Sequence, residues 1–491
     1  MRKKVQRLLW RAVKYIGIGL IGAFVTLLIL GIYMLNKKPD LKVWHTASLD
    51  EEFTVKSDVS TFSEYLALED RLFDQLSKEV YDEIEPEDRD PINRYFRGSL
   101  SDPEAMAKNW NRSFELSVDP AAGSPKIGVL LIHGLSDSPY SLRSIGEKLH
   151  SEGAHVVGLR VPGHGTAPSV LTRTKWQDMA AAVEIAMRHL KEQVEDRPLY
   201  VVGYSNGGAL AVHYALKTLE DESLPELSSV VLISPEIGIT SAAAFAIWQE
   251  RIGKVLGLSK LQWTGIIPEY DPYKYGSFPV NAGNLAYRLT AENRKRLARL
   301  SVKKQLDEFP PVLAFQSVVD ATVQAPALVN DLFFRLPDKG HEIALFGLNR
   351  TAGFDPLYKK DPRDQVPILL KGRERSFSLS LLTCRSKSDE SVIIRTWGVG
   401  ESEPVEADTS FVWPEDIYSL SHVALPFSDK DPVYGDGDNR SDTVISLGNL
   451  ALRGEKGVLK ISADELMRLR WNPFYPYLES RVVDHFGLGA P

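Results

Sequence analysis

Gly203-Tyr204-Ser205-Asn206-Gly207-Gly208 is the stretch that decides the fold; it follows the apolar run Pro198 to Val202 and precedes an apolar helical segment. A strand, a glycine-flanked serine and a helix in this order are typical of a nucleophile elbow. Side chains at Gly203 and Gly207 would clash in so tight a turn, so both positions need glycine. The turn lifts Ser205 clear of the end of the strand, which makes Ser205 the predicted nucleophile.

Short apolar runs alternate with helical segments on both sides of this turn, which is typical of βα units and a parallel sheet. The predicted strands cover residues 127–132, 156–161, 199–203, 229–234, 312–318 and 343–348. The predicted helices cover residues 141–150, 176–193, 207–219 and 323–336. Two insertions, 236–305 and 350–415, interrupt the pattern, and the second contains a hairpin formed by residues 377–382 and 391–397. The fold class is therefore α/β, with a mostly parallel central sheet and helices on both faces.

A serine nucleophile needs a base to take its proton and an acid to orient that base. Asp320 ends a predicted strand at the carboxyl edge of the sheet, where Ser205 also lies. Among the ten histidines, His422 lies in a loop-like context after the last predicted strand and completes the chain order Ser, Asp, His. His341 opens a strand and so falls at the opposite edge. The sequence therefore predicts a triad of Ser205, Asp320 and His422.

Acyl transfer also needs backbone N–H groups that point at the developing oxyanion. One predicted donor is Asn206, directly after the nucleophile at the start of a helix. The other is Leu135, in the loop that follows the strand 127–132. His133 in that loop and His164 in the next one are interpreted as side chains that fix the loops rather than as bases.

Five motifs in order resemble the α/β-hydrolase superfamily, in particular its monoacylglycerol lipase and small carboxylesterase branch. They are Leu131-Ile-His-Gly-Leu135, Pro162-Gly-His-Gly165, Gly203-Tyr-Ser-Asn-Gly207, Ser317-Val-Val-Asp-Ala-Thr-Val323 and His422. The resemblance implies that residues 236–305 form a cap over the active site and that no metal or organic cofactor is needed. This chain departs from the branch by placing His422 102 positions after Asp320.

The charge of the chain is unevenly distributed. The net charge of 491 residues is −7, which gives no general attraction to nucleic acid. Residues 1–14 carry six basic residues and no acid, whereas residues 50–90 carry fifteen acids and four bases, a local charge of −11. We therefore predict a basic stub at 1–14 and an acidic extension or stalk at 37–112, followed by a hydrolase domain at 113–491.

Between these charged segments lie 22 residues without a charge, 15–36. A helix of that length spans roughly 33 Å, enough for the hydrocarbon core of a bilayer. The alternative is a cleaved signal peptide, which would usually have a shorter apolar region and a small-x-small cleavage site. We interpret the segment as an uncleaved transmembrane helix. The positive-inside rule then places the N-terminus in the cytoplasm and the rest outside it, on the periplasmic side of a bacterial inner membrane.

These features predict a membrane-anchored serine hydrolase that cleaves small-molecule or lipid esters through an acyl-enzyme intermediate. Two alternatives stay open. The same triad could cut amides or thioesters, because it does not determine the leaving group. The domain could also be a non-catalytic binding or scaffold module on a hydrolase fold.

Overall fold

A computed structural model describes residues 37–489 except 120–122, 239–257, 321–324, 352–373, 387, 415–416, 418, 438–443 and 449–469, together with scattered residues among the first 36. Within this described part, no helix combines the length and the apolar character needed to cross a membrane. Most of the predicted span 15–36 lies outside the described residues.

Twelve strands are present among the described residues. They are β1 (Phe114–Leu116), β2 (Ile127–Ile132), β3 (Ala154–Leu159), β4 (Leu199–Tyr204), β5 (Ser229–Ile233), β6 (Trp263–Gly265), β7 (Phe278–Pro279), β8 (Val312–Ser317), β9 (His341–Phe346), β10 (Phe377–Ser386), β11 (Asp389–Trp397) and β12 (Val405–Val412). Ten of them form one sheet in the order β1-β3-β2-β4-β5-β8-β9-β10-β11-β12, and β6 pairs with β7. Strands β3 to β10 in that order are parallel; β1, β11 and β12 are antiparallel to their neighbours.

Helices cover both faces of the sheet, as the sequence predicts. They are α1 (Val43–Thr46), α2 (Phe62–Leu76), α3 (Arg143–Ser151), α4 (Trp176–Val194), α5 (Asn206–Thr218), α6 (Val280–Lys303), α7 (Ala325–Ala327) and α8 (Tyr475–His485). A π-helix, Leu328–Leu332, continues α7. One apolar core joins α4, α5 and α6 to the sheet, and a second joins α3 and α8 to the opposite face. Strands buried on both faces explain the continuous apolar runs in the sequence.

The predicted insertion 350–415 is in part an extension of the central sheet. Its hairpin forms as β10 and β11, but β10 pairs in parallel with β9, with Phe377 opposite His341. Strands β11 and β12 then continue the sheet. The sequence predicts the strand at 343–348, which is β9, as the last strand of the sheet. The additional strands are not predicted because strand order depends on pairing between distant segments, which the local sequence pattern does not specify.

The predicted stalk 37–112 packs against the catalytic domain instead of standing apart from it. Its helix α2 places Phe62, Tyr65 and Leu68 in the same core as the sheet. Tyr65 also donates a 2.7 Å hydrogen bond to the carbonyl of Arg160, directly after β3. A π-helix, Ser77–Tyr81, directly follows α2. This segment is therefore part of the domain body.

The predicted cap 236–305 does not form a single unit among the described residues. Residues 239–257 lie outside the described residues. Its last part, α6, packs on α5 as a helix of the domain body, and Leu285, Leu289 and Leu297 are buried in the main core. Only the part from 258 to 279, which contains β6 and β7, remains as a described cap.

Candidate active site

Ser205 lies between β4 and α5 with φ 53° and ψ −115°. Non-glycine residues rarely adopt this backbone conformation, which costs of order 1–3 kcal/mol and clusters at functional positions. A Cβ at Gly203 would lie 2.5 Å from the carbonyl oxygen of Gly207, and a Cβ at Gly207 would lie 2.0 Å from that of Ile132. Both glycines are therefore required, and the turn has the tight geometry expected of a nucleophile elbow.

Backbone hydrogen bonds to β5, to the loop after β5 and to the first turn of α5 hold the turn at Ser205 in place. The N–H of Ser205 donates to the carbonyl of Ile233 at 3.0 Å. The carbonyl of Ser205 accepts from the N–H groups of Glu236, at 2.9 Å, and Gly208, at 3.0 Å. These bonds explain how the strained conformation persists.

The structure brings Asp320 and His422 together. The Asp320 side chain is fully buried, and its Oδ1 lies 3.9 Å from Nδ1 of His422. Its Oδ2 accepts a 2.9 Å hydrogen bond from Gln316 at the end of β8. The Oδ1–Nδ1 distance is longer than a hydrogen bond but short enough for an ion pair when the ring is protonated.

The loop that carries His422 is fastened to the sheet although His422 lies 102 positions after Asp320. Ser317, in β8, donates a 2.9 Å hydrogen bond to the carbonyl of Leu420. Ser419 forms an antiparallel bridge with Leu348, after β9. The chain leaves the sheet edge through β10 to β12 and then returns, so the long separation in sequence does not separate the two side chains in space.

The predicted oxyanion loop lies against the nucleophile. A Cβ built at Gly134 would lie 3.1 Å from that of Ser205. His133 fixes this loop: its Nδ1 contacts the carbonyl of Gly134 at 2.9 Å, and its Nε2 accepts from the N–H of Val161 at 3.0 Å. Burial lowers the pKa of His133 well below its ordinary value, so the ring is neutral and Nδ1–H is the donor. This role agrees with the sequence interpretation.

Asn206 is the first residue of α5. The first N–H groups of a helix lack intrahelical acceptors, and the helix dipole favours negative charge at that end. Asn206 and Leu135, the predicted oxyanion donors, thus lie on the two segments that adjoin Ser205.

Four other histidines contact groups away from Asp320. His164 is buried with Nδ1 3.1 Å from the carbonyl of Pro162, and burial lowers its pKa to about 4. His155 and His189 both contact Glu115, and His213 contacts Asn293.

Glu236 is a site residue that the sequence interpretation missed. Its Oε2 accepts a 2.9 Å hydrogen bond from the side chain of Asn206, in addition to the backbone bond to Ser205. Burial raises the pKa of Glu236 to about 7, although the bond from Asn206 lowers it. The Glu236 side chain thus holds Asn206, and its backbone N–H holds the carbonyl of Ser205. No local pattern marks it, because a glutamate after a strand is common at protein surfaces.

A cavity of about 110 Å³ adjoins the site, and its wall includes Tyr204 and Val423, the chain neighbours of Ser205 and His422. Four charged side chains also line it, namely Asp137, Asp271, Lys274 and Arg470.

Two of these charged groups are loosely paired. Lys274 lies 3.7 Å from Asp137, and burial raises the pKa of Asp137 to about 6, although Lys274 lowers it. The Asp271 carboxylate has closer partners. It accepts a hydrogen bond from the Tyr434 hydroxyl at 2.5 Å and forms an ion pair with Arg470 at 3.3 Å. The cavity is therefore suited to a polar group. Sequence reasoning missed it because its residues are far apart in the chain.

Residues 123–335, which include Ser205 and Asp320, match a family model described as serine aminopeptidase, S33. The mostly parallel sheet with helices on both faces, and the turn at Ser205 after β4, resemble an α/β-hydrolase fold. The matched part ends before β9, so β9 to β12 and His422 lie beyond it.

Curated relatives match parts of the chain. A thermostable monoacylglycerol lipase of Bacillus sp. (strain H-257) is 33% identical over 118 residues, which are 24% of this chain and 44% of the lipase. Phospholipase YtpA of Bacillus subtilis (strain 168) is 25% identical over 148 residues, 30% of this chain and 51% of that protein. The chain thus spans about half the length of these relatives.

Among solved structures, a monoacylglycerol lipase of Paleococcus ferrophilus aligns with 52% of this chain and 97% of its own, at 19% identity and a TM-score of 0.36.

Proposed function

We propose that this protein is a serine hydrolase that cleaves carboxylic esters through an acyl-enzyme intermediate. The observation that carries the proposal is the strained Ser205 elbow in a chain whose Asp320 and His422 are brought within 3.9 Å of each other. The similarity to a monoacylglycerol lipase adds support for ester cleavage.

In this mechanism Oγ of Ser205 attacks the ester carbonyl carbon while His422 takes the hydroxyl proton. Since Nδ1 of His422 faces Asp320, Nε2 is the nitrogen that accepts this proton. The N–H groups of Leu135 and Asn206 hold the oxyanion of the tetrahedral intermediate. The intermediate collapses, the C–O bond breaks, and the alcohol leaves with the proton from His422. Water then attacks the acyl-enzyme in the same way and releases the acid.

The test is replacement of Ser205 by Ala. We expect at least a 10³-fold loss of kcat for a soluble p-nitrophenyl ester, because the covalent step is lost. Labelling by a fluorophosphonate probe should also disappear. Ser234→Ala is the matched control, since Ser234 also follows a strand with positive φ, 43°. Undiminished turnover by Ser205→Ala would refute the assignment, and an unlabelled wild-type protein would favour a non-catalytic module.

Amide cleavage is a second candidate, favoured by the description of the matched family as a serine aminopeptidase. The triad and oxyanion hole would act in the same way, with an amine as the leaving group. A panel of matched acyl esters, thioesters and aminoacyl amides separates these functions. The ester proposal requires the largest kcat/KM for the oxygen esters.

We also propose that residues 15–36 anchor the protein in a membrane. The segment carries no charge over 22 residues. Among its described residues, Tyr15, Ile16 and Ile18 are 70%, 62% and 55% exposed, so the domain does not cover them. Exposed apolar residues in a helix need a partner, and the hydrocarbon of a bilayer would provide one. Carbonate extraction should leave the full chain in the membrane fraction, whereas a chain lacking residues 1–36 should be released.

The six basic residues before this segment favour a cytoplasmic N-terminus and a catalytic domain outside the cytoplasm. A thiol-labelling experiment tests this orientation, because the single cysteine, Cys384, is buried. Cysteine placed at Val302, which is 86% exposed, should react with a membrane-impermeant maleimide in intact spheroplasts. Reaction only after lysis would place the domain on the cytoplasmic side.

A further inference from the structure

The cavity of about 110 Å³ beside the triad is built in part from residues that the matched family region does not contain. We call it the polar pocket, and its wall comprises Asp137, Tyr204, Asp271, Lys274, Val423, Phe427, Tyr434 and Arg470. The last four of these residues follow position 420, whereas the family match ends at residue 335. The pocket is therefore a feature of this chain for which the family match does not account.

We propose that the polar pocket binds a sugar as the alcohol part of the ester, so that the enzyme removes acyl groups from a hydroxyl of a sugar. This inference rests on the proposed ester hydrolase activity. In that mechanism His422 gives its proton to the departing alcohol oxygen, so the alcohol part must lie beside His422. Val423 directly follows His422 and lines the pocket. The pocket thus lies on the side of the ester from which the alcohol leaves.

The first polar groups open to a ligand are those of Asp137 and Lys274. The Asp137 side chain is 3% exposed, and its Oδ1 accepts from the N–H of Ser138 at 3.1 Å. Its Oδ2 lies 3.7 Å from Nζ of Lys274, which is beyond hydrogen-bond distance. A ligand group can therefore donate to this carboxylate and accept from this ammonium group.

Arg470 supplies a further donor. Its side chain is 10% exposed. Nη1 lies 3.3 Å from Oδ2 of Asp271, and Nη2 lies 3.4 Å from the hydroxyl of Tyr270. Nε is buried and has no hydrogen-bond partner among the described residues. A buried donor without an acceptor is unfavourable, so a ligand that brings an oxygen to this guanidinium gains affinity.

The charges of the pocket favour hydroxyl groups over charged groups. Two carboxylates, Asp137 and Asp271, are matched by the two cations Lys274 and Arg470. An ammonium ligand would meet both cations, and a carboxylate ligand would meet both carboxylates. A hydroxyl group both donates and accepts. Adjacent hydroxyls can therefore donate to Asp137 while they accept from Lys274 and Arg470.

The aromatic part of the wall favours a ring over an open-chain polyol. The ring centroids of Phe427 and Tyr434 lie 4.3 Å apart at an angle of 42°. The Tyr434 ring is held in place because its hydroxyl donates to Asp271 at 2.5 Å. A sugar ring has a face of C–H groups that can pack on such rings while its hydroxyls reach the charged side chains. Glycerol has hydroxyls but no such face. Apolar walls with a few placed polar groups are typical of specific ligand sites.

The test compares butyrate esters that differ only in the alcohol part. The sugar substrates carry butyrate on the primary hydroxyl of methyl glucoside, methyl galactoside or methyl mannoside. Cyclohexylmethyl butyrate has the ring without the hydroxyls, and glycerol monobutyrate has hydroxyls without the ring. We expect kcat/KM for the best glycoside ester to exceed that for either control by about 10-fold or more. If no glycoside ester exceeds cyclohexylmethyl butyrate, the sugar site is refuted, and a glycerol ester that is cleaved equally well would refute the need for a ring.

Two variants test whether the preference comes from the polar pocket. Lys274→Met removes a donor whose side chain is 33% exposed, and Arg470→Lys keeps a cation beside Asp271 but removes the Nε–H donor. Each should lower several-fold the ratio of kcat/KM for the best glycoside ester to kcat/KM for cyclohexylmethyl butyrate. Because both values come from the same sample, loss of folded protein does not change the ratio. The control is Arg97→Met in the acidic extension, where the arginine side chain is 49% exposed; it should keep the wild-type ratio. A wild-type ratio in both pocket variants would refute the pocket as the sugar site.

Two measurements on the wild-type protein separate this inference from the proposed function. Fluorophosphonate labelling and cleavage of p-nitrophenyl butyrate report on the triad without a sugar. If both occur but no glycoside ester is preferred, the sugar inference fails and the proposed function stands. If neither occurs, the proposed function fails, and this inference fails with it.

Discussion

Replacing Glu236 by Gln isolates the effect of one ionisation beside the nucleophile. Gln keeps an oxygen that can accept from Asn206 but cannot become charged. In the folded protein the pKa of Glu236 is raised from 4.5 to about 7 by burial. A shift of this size corresponds to about 3 kcal/mol, and to less in practice because the side chain is partly exposed.

The direction in which stability changes with pH follows from the number of protons bound in the folded and unfolded states. Between pH 4.5 and 7 folded Glu236 holds a proton that the unfolded chain has released, so the folded state binds more protons. The stability that protonated Glu236 contributes is fully present below pH 4.5 and is lost as the pH rises through 7. Wild type and Glu236→Gln should therefore be similar in stability at pH 4.5, and the variant should be more stable by up to about 3 kcal/mol at pH 8.

The assay is urea unfolding of the full chain in detergent micelles at several pH values. The exposed Glu226→Gln serves as the control and should follow the wild-type pH dependence. Activity gives an independent readout. Ionised Glu236 places negative charge beside an oxyanion donor, so wild-type kcat should fall above pH 7 and that of Glu236→Gln should not. Parallel stability curves and parallel pH profiles for wild type and variant would refute this reasoning.

Three further substitutions test the elbow, the triad and the domain body. Gly207→Ala places a Cβ 2.0 Å from the carbonyl oxygen of Ile132, so it should abolish fluorophosphonate labelling; normal labelling would contradict the elbow geometry. Asp320→Asn should lower kcat about 10³- to 10⁴-fold with little change in KM, because His422 loses its orienting charge; a change in KM alone would exclude that role. Arg160→Ala should destabilise the fold by about 3–5 kcal/mol in urea unfolding, since it leaves buried carboxylates without a partner; a loss below about 1 kcal/mol would show that the ion pairs are dispensable.

The local chemistry of the site could be predicted from the sequence because each part is encoded by adjacent residues. The elbow needs Gly203 and Gly207 next to Ser205, and the strand before it is an uninterrupted apolar run. The predicted strand 127–132 agrees with β2 at both ends. Asp320 was found from its place after a strand, and no long-range information was needed.

What could not be predicted depends on contacts between distant segments. The pairing of β10 with β9 joins residues from two sides of a predicted insertion. Helix α6 looks like part of a cap in sequence, and only its packing on α5 makes it a helix of the domain body. Glu236 acquires its role from a hydrogen bond to Asn206, 30 residues earlier. None of these pairings has a local signature.

The burial of charged residues in the acidic extension also could not be predicted from the sequence. Its high content of Asp and Glu predicts a solvated face, yet Glu52 and Glu69 are buried and pair with the fully buried Arg160. Both oxygens of Glu52 accept from that guanidinium at 3.0 Å, and Glu69 accepts at 2.9 Å. A buried arginine needs such partners, because an unpaired buried charge is strongly destabilising.

These ion pairs also connect the extension to the chemistry. Glu52 accepts a further 2.9 Å hydrogen bond from the N–H of Gly163, so it fixes the loop that follows Arg160. In the same loop the N–H of Val161 donates to Nε2 of His133, and His133 holds the oxyanion loop beside Ser205. A segment predicted as a stalk therefore supports the predicted oxyanion loop through three successive contacts, and shortening it should lower esterase activity as well as stability.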